Sequence, residues 1–101
     1  MQDWEWEVAD ARRFDEFVAA YRTEDLTEDE RFLLMEMLVQ CVEDIAADTG
    51  NHDAAWSVIK PFVLSRPRLH EDTVSYWACL DKTDGFRVSP DMRRLWRIIS
   101  S

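Results

Sequence analysis

From Phe32 to Ala47 the chain runs without a glycine or proline and is apolar around most of a helix's circumference. Leu34, Leu38, Val42 and Ile45 form one row at helical spacing, Leu33, Met37 and Cys41 a second, and Met35, Val39 and Ala46 a third. A helix with so little polar surface must be wrapped by its neighbours, so this segment constrains the fold more than any other. Its ends are also written in the sequence. Thr27-Glu28-Asp29-Glu30 is a capping box, in which the Thr27 hydroxyl accepts from the Glu30 N–H and the Glu30 carboxylate reaches back. Gly50 reads as the left-handed residue that stops the helix.

The flanking segments supply the wrapping. Ala11–Tyr21 places Phe14, Phe17, Val18 and Tyr21 on one stripe of a helix. Asn51 or Asp53 caps a third helix through Trp56, Ile59, Phe62 and Val63, and Pro61 inside it is expected to kink or break it. Ser65-Arg66-Pro67 ends that helix, and His70-Glu71-Asp72-Thr73 begins a fourth through Val74, Trp77, Ala78 and Leu80. After the polar loop Asp81-Lys82-Thr83-Asp84-Gly85, Ser89 as N-cap and Pro90 at the first position open a fifth, with Met92, Leu95, Trp96 and Ile99 on one stripe. The expected fold is all-α, about five helices in antiparallel pairs, as a compact bundle or a short solenoid-like array. Residues 1–101 are expected to make one helical domain. Within Asp3–Asp10, Trp4, Trp6 and Val8 alternate with Glu5 and Glu7, but no partner strand is evident, so this segment reads as an extended arm or an early helical turn.

Composition narrows the class. With 47% hydrophobic residues the chain can build a core and is no disordered acidic tail. No apolar run approaches the roughly 18 residues of a membrane span. The acidic start Met-Gln-Asp-Trp-Glu-Trp-Glu lacks the basic region of a secretory signal, so a cytoplasmic protein is expected. Cys41 and Cys79 lie in apolar helical patterns and read as reduced, buried hydrophobes.

Charge is distributed unevenly. Residues 1–55 hold sixteen acids and four bases, whereas residues 56–101 hold five acids and eight bases, within a net charge of −9. Such a field steers cationic partners and repels nucleic acid and anionic membranes, although excess acid also keeps a small protein soluble. The polar row of the central helix is Glu36, Gln40, Glu43, Asp44 and Asp48, with no lysine or arginine three or four residues away. Two explanations are open. The row meets a partner, or arginines such as Arg12, Arg13 or Arg93 cover it in the fold.

The arrangements that carry chemistry are missing. There is no glycine-rich phosphate loop, no Cys-x-x-Cys or His-x-x-x-His spacing and no nucleophile elbow. His70-Glu71-Asp72 diverge by about 100° per residue on a helix and read as a helix start, as does His52 beside Asp53. No metal, no cofactor and no catalytic residue is expected, and the solvent-facing carboxylate row lacks the asymmetry of acid/base catalysis. Arg93, Arg94 and Arg97 are expected to pair with the protein's own carboxylates rather than with phosphate.

Several short stretches carry a resemblance. Phe14-Asp15-Glu16-Phe17 is followed by Leu26-Thr27-Glu28-Asp29-Glu30-Arg31-Phe32 and Leu34-Met35-Glu36. Arg68-Leu69-His70 leads to Tyr76-Trp77, and Phe86-Arg87-Val88-Ser89-Pro90-Asp91-Met92-Arg93 closes the series. This order, over residues 14–93, resembles small helical immunity proteins encoded beside bacterial polymorphic toxins of the contact-dependent-inhibition and Rhs type. The resemblance implies tight binding to one cognate toxin domain, blocking its active site or a needed motion. It transfers no binding residues, because such families use different surfaces.

The expectation is therefore an immunity protein, not an enzyme, whose partner is a toxin with a cationic site such as a nuclease. Its partner-binding candidates are Glu28, Asp29, Glu36, Gln40, Glu43, Asp44 and Asp48, with Trp4 and Trp6 as aromatic anchors if they are not core. The rivals are an acidic adaptor or nucleic-acid mimic that regulates a DNA-binding protein, a homo-oligomer joining its acidic and basic halves, and a small enzyme.

Overall fold

The computed structural model describes residues 11–80 and 85–100. Five helices follow one another: α1 (Ala11–Tyr21), α2 (Glu28–Thr49), α3 (Asp53–Ser65), α4 (Pro67–Ala78) and α5 (Ser89–Ser100). The architecture is all-α, with no strand among the described residues. Trp4, Trp6, the side chain of Arg12 and the loop 81–84 lie outside the described residues.

The central helix begins and ends where its sequence dictates. Thr27 Oγ1 accepts from Glu30 N at 3.1 Å, and Glu30 Oε1 accepts from Thr27 N at 2.9 Å. Gly50 has φ of 76° and its N–H donates to Ala46 O at 2.8 Å, a conformation that an L side chain would strain. Met35, Leu38, Val39, Cys41, Val42 and Ala46 are buried. Leu33 and Met37 are not, so the apolar girth read from the sequence is covered on only part of its circumference. The core is completed by Phe14, Val18 and Tyr21 of α1, Ile59 and Val63 of α3, Val74 and Trp77 of α4, and Met92 and Leu95 of α5.

Long-range polar contacts set the directions. Arg31, near the start of α2, holds the C-terminus of α1 through Tyr21 O, and the Tyr21 hydroxyl meets His70 near the start of α4. Further along, Glu36 accepts from Thr73 of α4, and Glu43 accepts from the N–H groups of Arg87 and Val88 beyond the end of α4. Helices α2 and α4 therefore run the same way. Between them in sequence, α3 runs back, so that Phe62 near its end stacks on Tyr21 at 4.5 Å while His52 before its start meets Asp91 of α5.

Two expected helix starts are corrected, and of the two effects expected of Pro61 the break does not occur. Pro61 does not break α3, which continues to Ser65. Pro61 and Ser57 are both exposed, so the Ser57 carbonyl deprived of its N–H partner lies on the solvent side. Helix α4 starts at Pro67, one turn before His70, with proline in the first position where its missing N–H costs nothing. His70 is consequently a core residue and not a helix start. Finally, Ser89 lies inside α5, and its hydroxyl donates to Trp77 O at 2.6 Å while accepting from Phe86 N at 2.9 Å. It ties α5 to α4 instead of capping its own helix. Neither capping alternative for α3 holds: His52 occupies the N-cap position without a side-chain cap bond, while Asn51 Oδ1, one residue earlier, accepts from Asp53 N at 3.0 Å.

Gly85 packs closely against Cys79 and Ser89. Cys79 ends α4 with φ of 50° and is only partly buried, and a Cβ on Gly85 would lie 2.8 Å from Ser89 Oγ and 3.0 Å from Cys79 Cβ. Arg93 closes the same corner by donating to Ala78 O at 2.8 Å and Cys79 O at 3.2 Å.

Glu43 is the side chain on which the α2–α5 junction rests. It accepts from Arg87 N and Val88 N, both at 3.1 Å, and Val88 is fully buried. Glu43→Ala is expected to destabilise the fold by about 2 kcal/mol, since hydrogen bonds to a charged acceptor are lost and an N–H at a buried helix start is left unpaired. Urea denaturation of the two proteins checks this, and Glu43→Gln should lose less because its amide oxygen still accepts.

Candidate functional site

The sequence-derived candidates divide into two groups. Glu36 and Glu43 are partly buried and serve the fold, through Thr73 Oγ1 at 3.1 Å and through the Arg87–Val88 backbone. Arg87 also brings its guanidinium within 3.9 Å of Glu43. Glu28, Asp29, Gln40 and Asp48 are exposed, and Asp44 is partly exposed, accepting from Gln40 at 3.1 Å. The acidic row is thus split along its length, one edge turned to the neighbouring helices and the other to solvent.

A denser acidic corner lies just before this row. Glu24, Asp25, Glu28, Asp29 and Glu30 are all exposed, and none is in an ion pair among the described residues. The base within the corner is turned inward. Arg31 is buried, donates to Tyr21 O at 2.8 Å and Thr23 O at 3.0 Å, and lies 5.1 Å from the centre of the Tyr21 ring. Arg22, also nearby in sequence, sits 5.6 Å from the centre of the Phe62 ring. The two arginines that could neutralise the corner are used against backbone carbonyls and aromatic faces. Glu24 and Asp25 were not among the sequence candidates, because the signal that exposes them is the inward turn of Arg31, which spacing alone does not reveal.

The basic cluster of α5 makes contacts within the fold. Arg94 meets a carboxylate, Asp91 on its own helix. Arg93 donates to the carbonyl end of α4, where its charge suits the negative pole of the helix dipole. Asp91 also accepts from His52 Nε2 at 2.6 Å, so His52 links the α3 start to α5 through its side chain and makes no cap bond.

A buried polar group lies beneath the corner. His70 has no exposed surface, its Nε2 is 2.6 Å from the Tyr21 hydroxyl, and its Nδ1 has no partner. Burial, reinforced by the positive charges of Arg66 and Arg31, lowers the His70 pKa to about 4. The same burial raises that of Tyr21, with Arg31 and Arg66 opposing it. Both groups are therefore neutral near pH 7. Among the described residues no group of three histidine, cysteine or acidic side chains is placed to hold a metal ion. No described helix is long and apolar enough to cross a membrane.

Comparison with protein-family models, with curated proteins and with solved structures gave no match.

His70 gives the fold a defined acid sensitivity. Its folded-state pKa lies below its unfolded value of 6.5, so below pH 6.5 the unfolded chain takes up a proton that the folded chain resists. Stability is full above pH 6.5 and falls toward pH 4, by up to about 3 kcal/mol from this residue. In His70→Phe the stability difference from wild type should shift in favour of the variant as pH drops through this window. Denaturation midpoints at pH 7 and pH 4 measure it.

Proposed function

We propose that this chain is an immunity-type inhibitor that binds a toxin domain through a cationic surface and holds it inactive. The observation that carries the reading is the α1–α2 corner, where Glu24, Asp25, Glu28 and Asp29 are exposed without ion pairs among the described residues while Arg31 is directed inward. A cationic partner complements this field on binding. The field also accelerates encounter, toward about 10⁸–10⁹ M⁻¹s⁻¹ at low salt for steered pairs. A partner that cleaves nucleic acid needs a basic cleft for its own substrate, which makes it the toxin class that such a surface fits best.

The test begins with the tagged protein expressed in its native host beside its neighbouring genes. Recovery of one stoichiometric basic protein, toxic alone and harmless when co-expressed with this chain, is the expected result. Recovery of the chain by itself overturns the reading. Charge reversal at Glu28, Asp29 and Asp44 together is expected to slow association about tenfold or more at low salt and to flatten its salt dependence. Stopped-flow association at two salt concentrations checks this. Glu36 and Glu43 are unsuitable for the same experiment, because their substitution would disturb the packing of α4 and α5.

A further inference from the structure

Six large hydrophobic side chains are exposed among the described residues, and three of them lie on α2 and α4. Leu33 is 61% exposed, Met37 42% and Tyr76 64%. On α2, Asp29, Leu33, Met37, Gln40 and Asp44 fall within about 80° of arc. Going round α2 from Glu36 in the other sense leads to Val39, which is buried. On α4, Tyr76 and Asp72 lie to one side of Thr73 and are exposed, while Val74 and Trp77 lie to the other and are buried. The two helices run in the same direction and meet where Thr73 donates to Glu36. For parallel helices joined at that point, the exposed side of α2 and the exposed side of α4 open in the same direction.

We infer that this side of the α2–α4 pair is a docking face for a basic protein surface with an apolar centre, seated on Leu33, Met37 and Tyr76 and ringed by Asp29, Asp44 and Asp72. The inference rests on the proposed reading of a cationic partner and adds where that partner sits. Charge complementarity selects the occupant. None of the three aspartates is in an ion pair among the described residues, and Arg68, one turn before Asp72, does not pair with it. A second acidic or neutral protein would bury these carboxylates unpaired, at high desolvation cost. A basic one satisfies them around a desolvated apolar centre, which is the arrangement of a binding hot spot and its rim.

Tyr76 is braced for this role. Its ring contacts Trp77 edge-on at 5.6 Å and Phe86 at 5.9 Å, and Trp77 and Phe86 pack at 4.4 Å. A ring held by two others loses little freedom when a partner covers it. Leu33 and Met37 stand on the longest helix of the fold, one turn apart, so their spacing is fixed before binding.

The experiment compares wild type, Tyr76→Ala with Leu33→Ser, and Leu64→Ser as a control on another exposed apolar residue, each used as tagged bait in the native host. The expected result is a stoichiometric basic partner with wild type and control, and at least about tenfold weaker binding for the double variant. Equal capture by a double variant whose helical circular dichroism is intact overturns the docking face and leaves the proposed function standing. Capture of an acidic partner overturns the inferred chemistry, and failure of wild type to capture any partner overturns both. Should the double variant fold poorly, hydroxyl-radical footprinting of the wild-type complex decides the matter. Protection of Met37 and Tyr76 supports the face, and unchanged reactivity overturns it.

Discussion

Short helices leave many backbone groups unpaired at their ends, and here long charged side chains reaching from other helices satisfy them. Arg31 of α2 holds the carbonyl end of α1, Arg93 of α5 holds that of α4, and Glu43 of α2 receives the N–H groups at the start of α5. The signs follow the helix dipole throughout, with cations at the carbonyl ends and the anion at the amide end. Each contact fixes both a position and an angle between two helices. The core can pack Met35, Leu38 and Met92 without exposed surface because these ends are already anchored.

This use of charge determines what remains outside. Arg31 and Arg22, engaged with carbonyls and aromatic faces, form no ion pair with the carboxylates beside them in sequence. The corner formed by Glu24, Asp25, Glu28 and Asp29 is exposed and without ion pairs among the described residues. The Glu36–Glu43 edge illustrates the opposite outcome, in which carboxylates of the same helix are absorbed by Thr73 and by the α5 start. The proposed partner-binding role belongs to the first group. The polar pair Tyr21–His70, packed directly beneath Arg31, links that corner to the stability of the core.

Legibility in the sequence followed the range of the interaction. Helix α1, the capping box at Thr27 and the left-handed Gly50 were readable because each is decided within one turn of chain. His70 was misread because a histidine followed by two acids has the local signature of a helix start, while its actual role depends on Tyr21, far away in sequence. Ser89 was placed one residue from its true position for a related reason: Trp77 and Phe86 compete for the hydroxyl that would otherwise cap α5. Glu36 and Glu43 looked like members of one solvent row because periodicity identifies a face but not which neighbour covers it.

Local chemistry alone makes the fold all-α, sets where the central helix starts and stops, and gives the first half of the chain its strong negative charge. These follow from hydrophobic period, capping chemistry and composition, which act locally or as sums. Packing between distant elements settles which side of α2 is covered, that Arg31 is buried, and that α2 and α4 run the same way with Leu33, Met37 and Tyr76 left exposed. Those outcomes depend on contacts between residues tens of positions apart. Competition among several possible partners for each buried polar group settles them, and that competition exists only once the helices have packed.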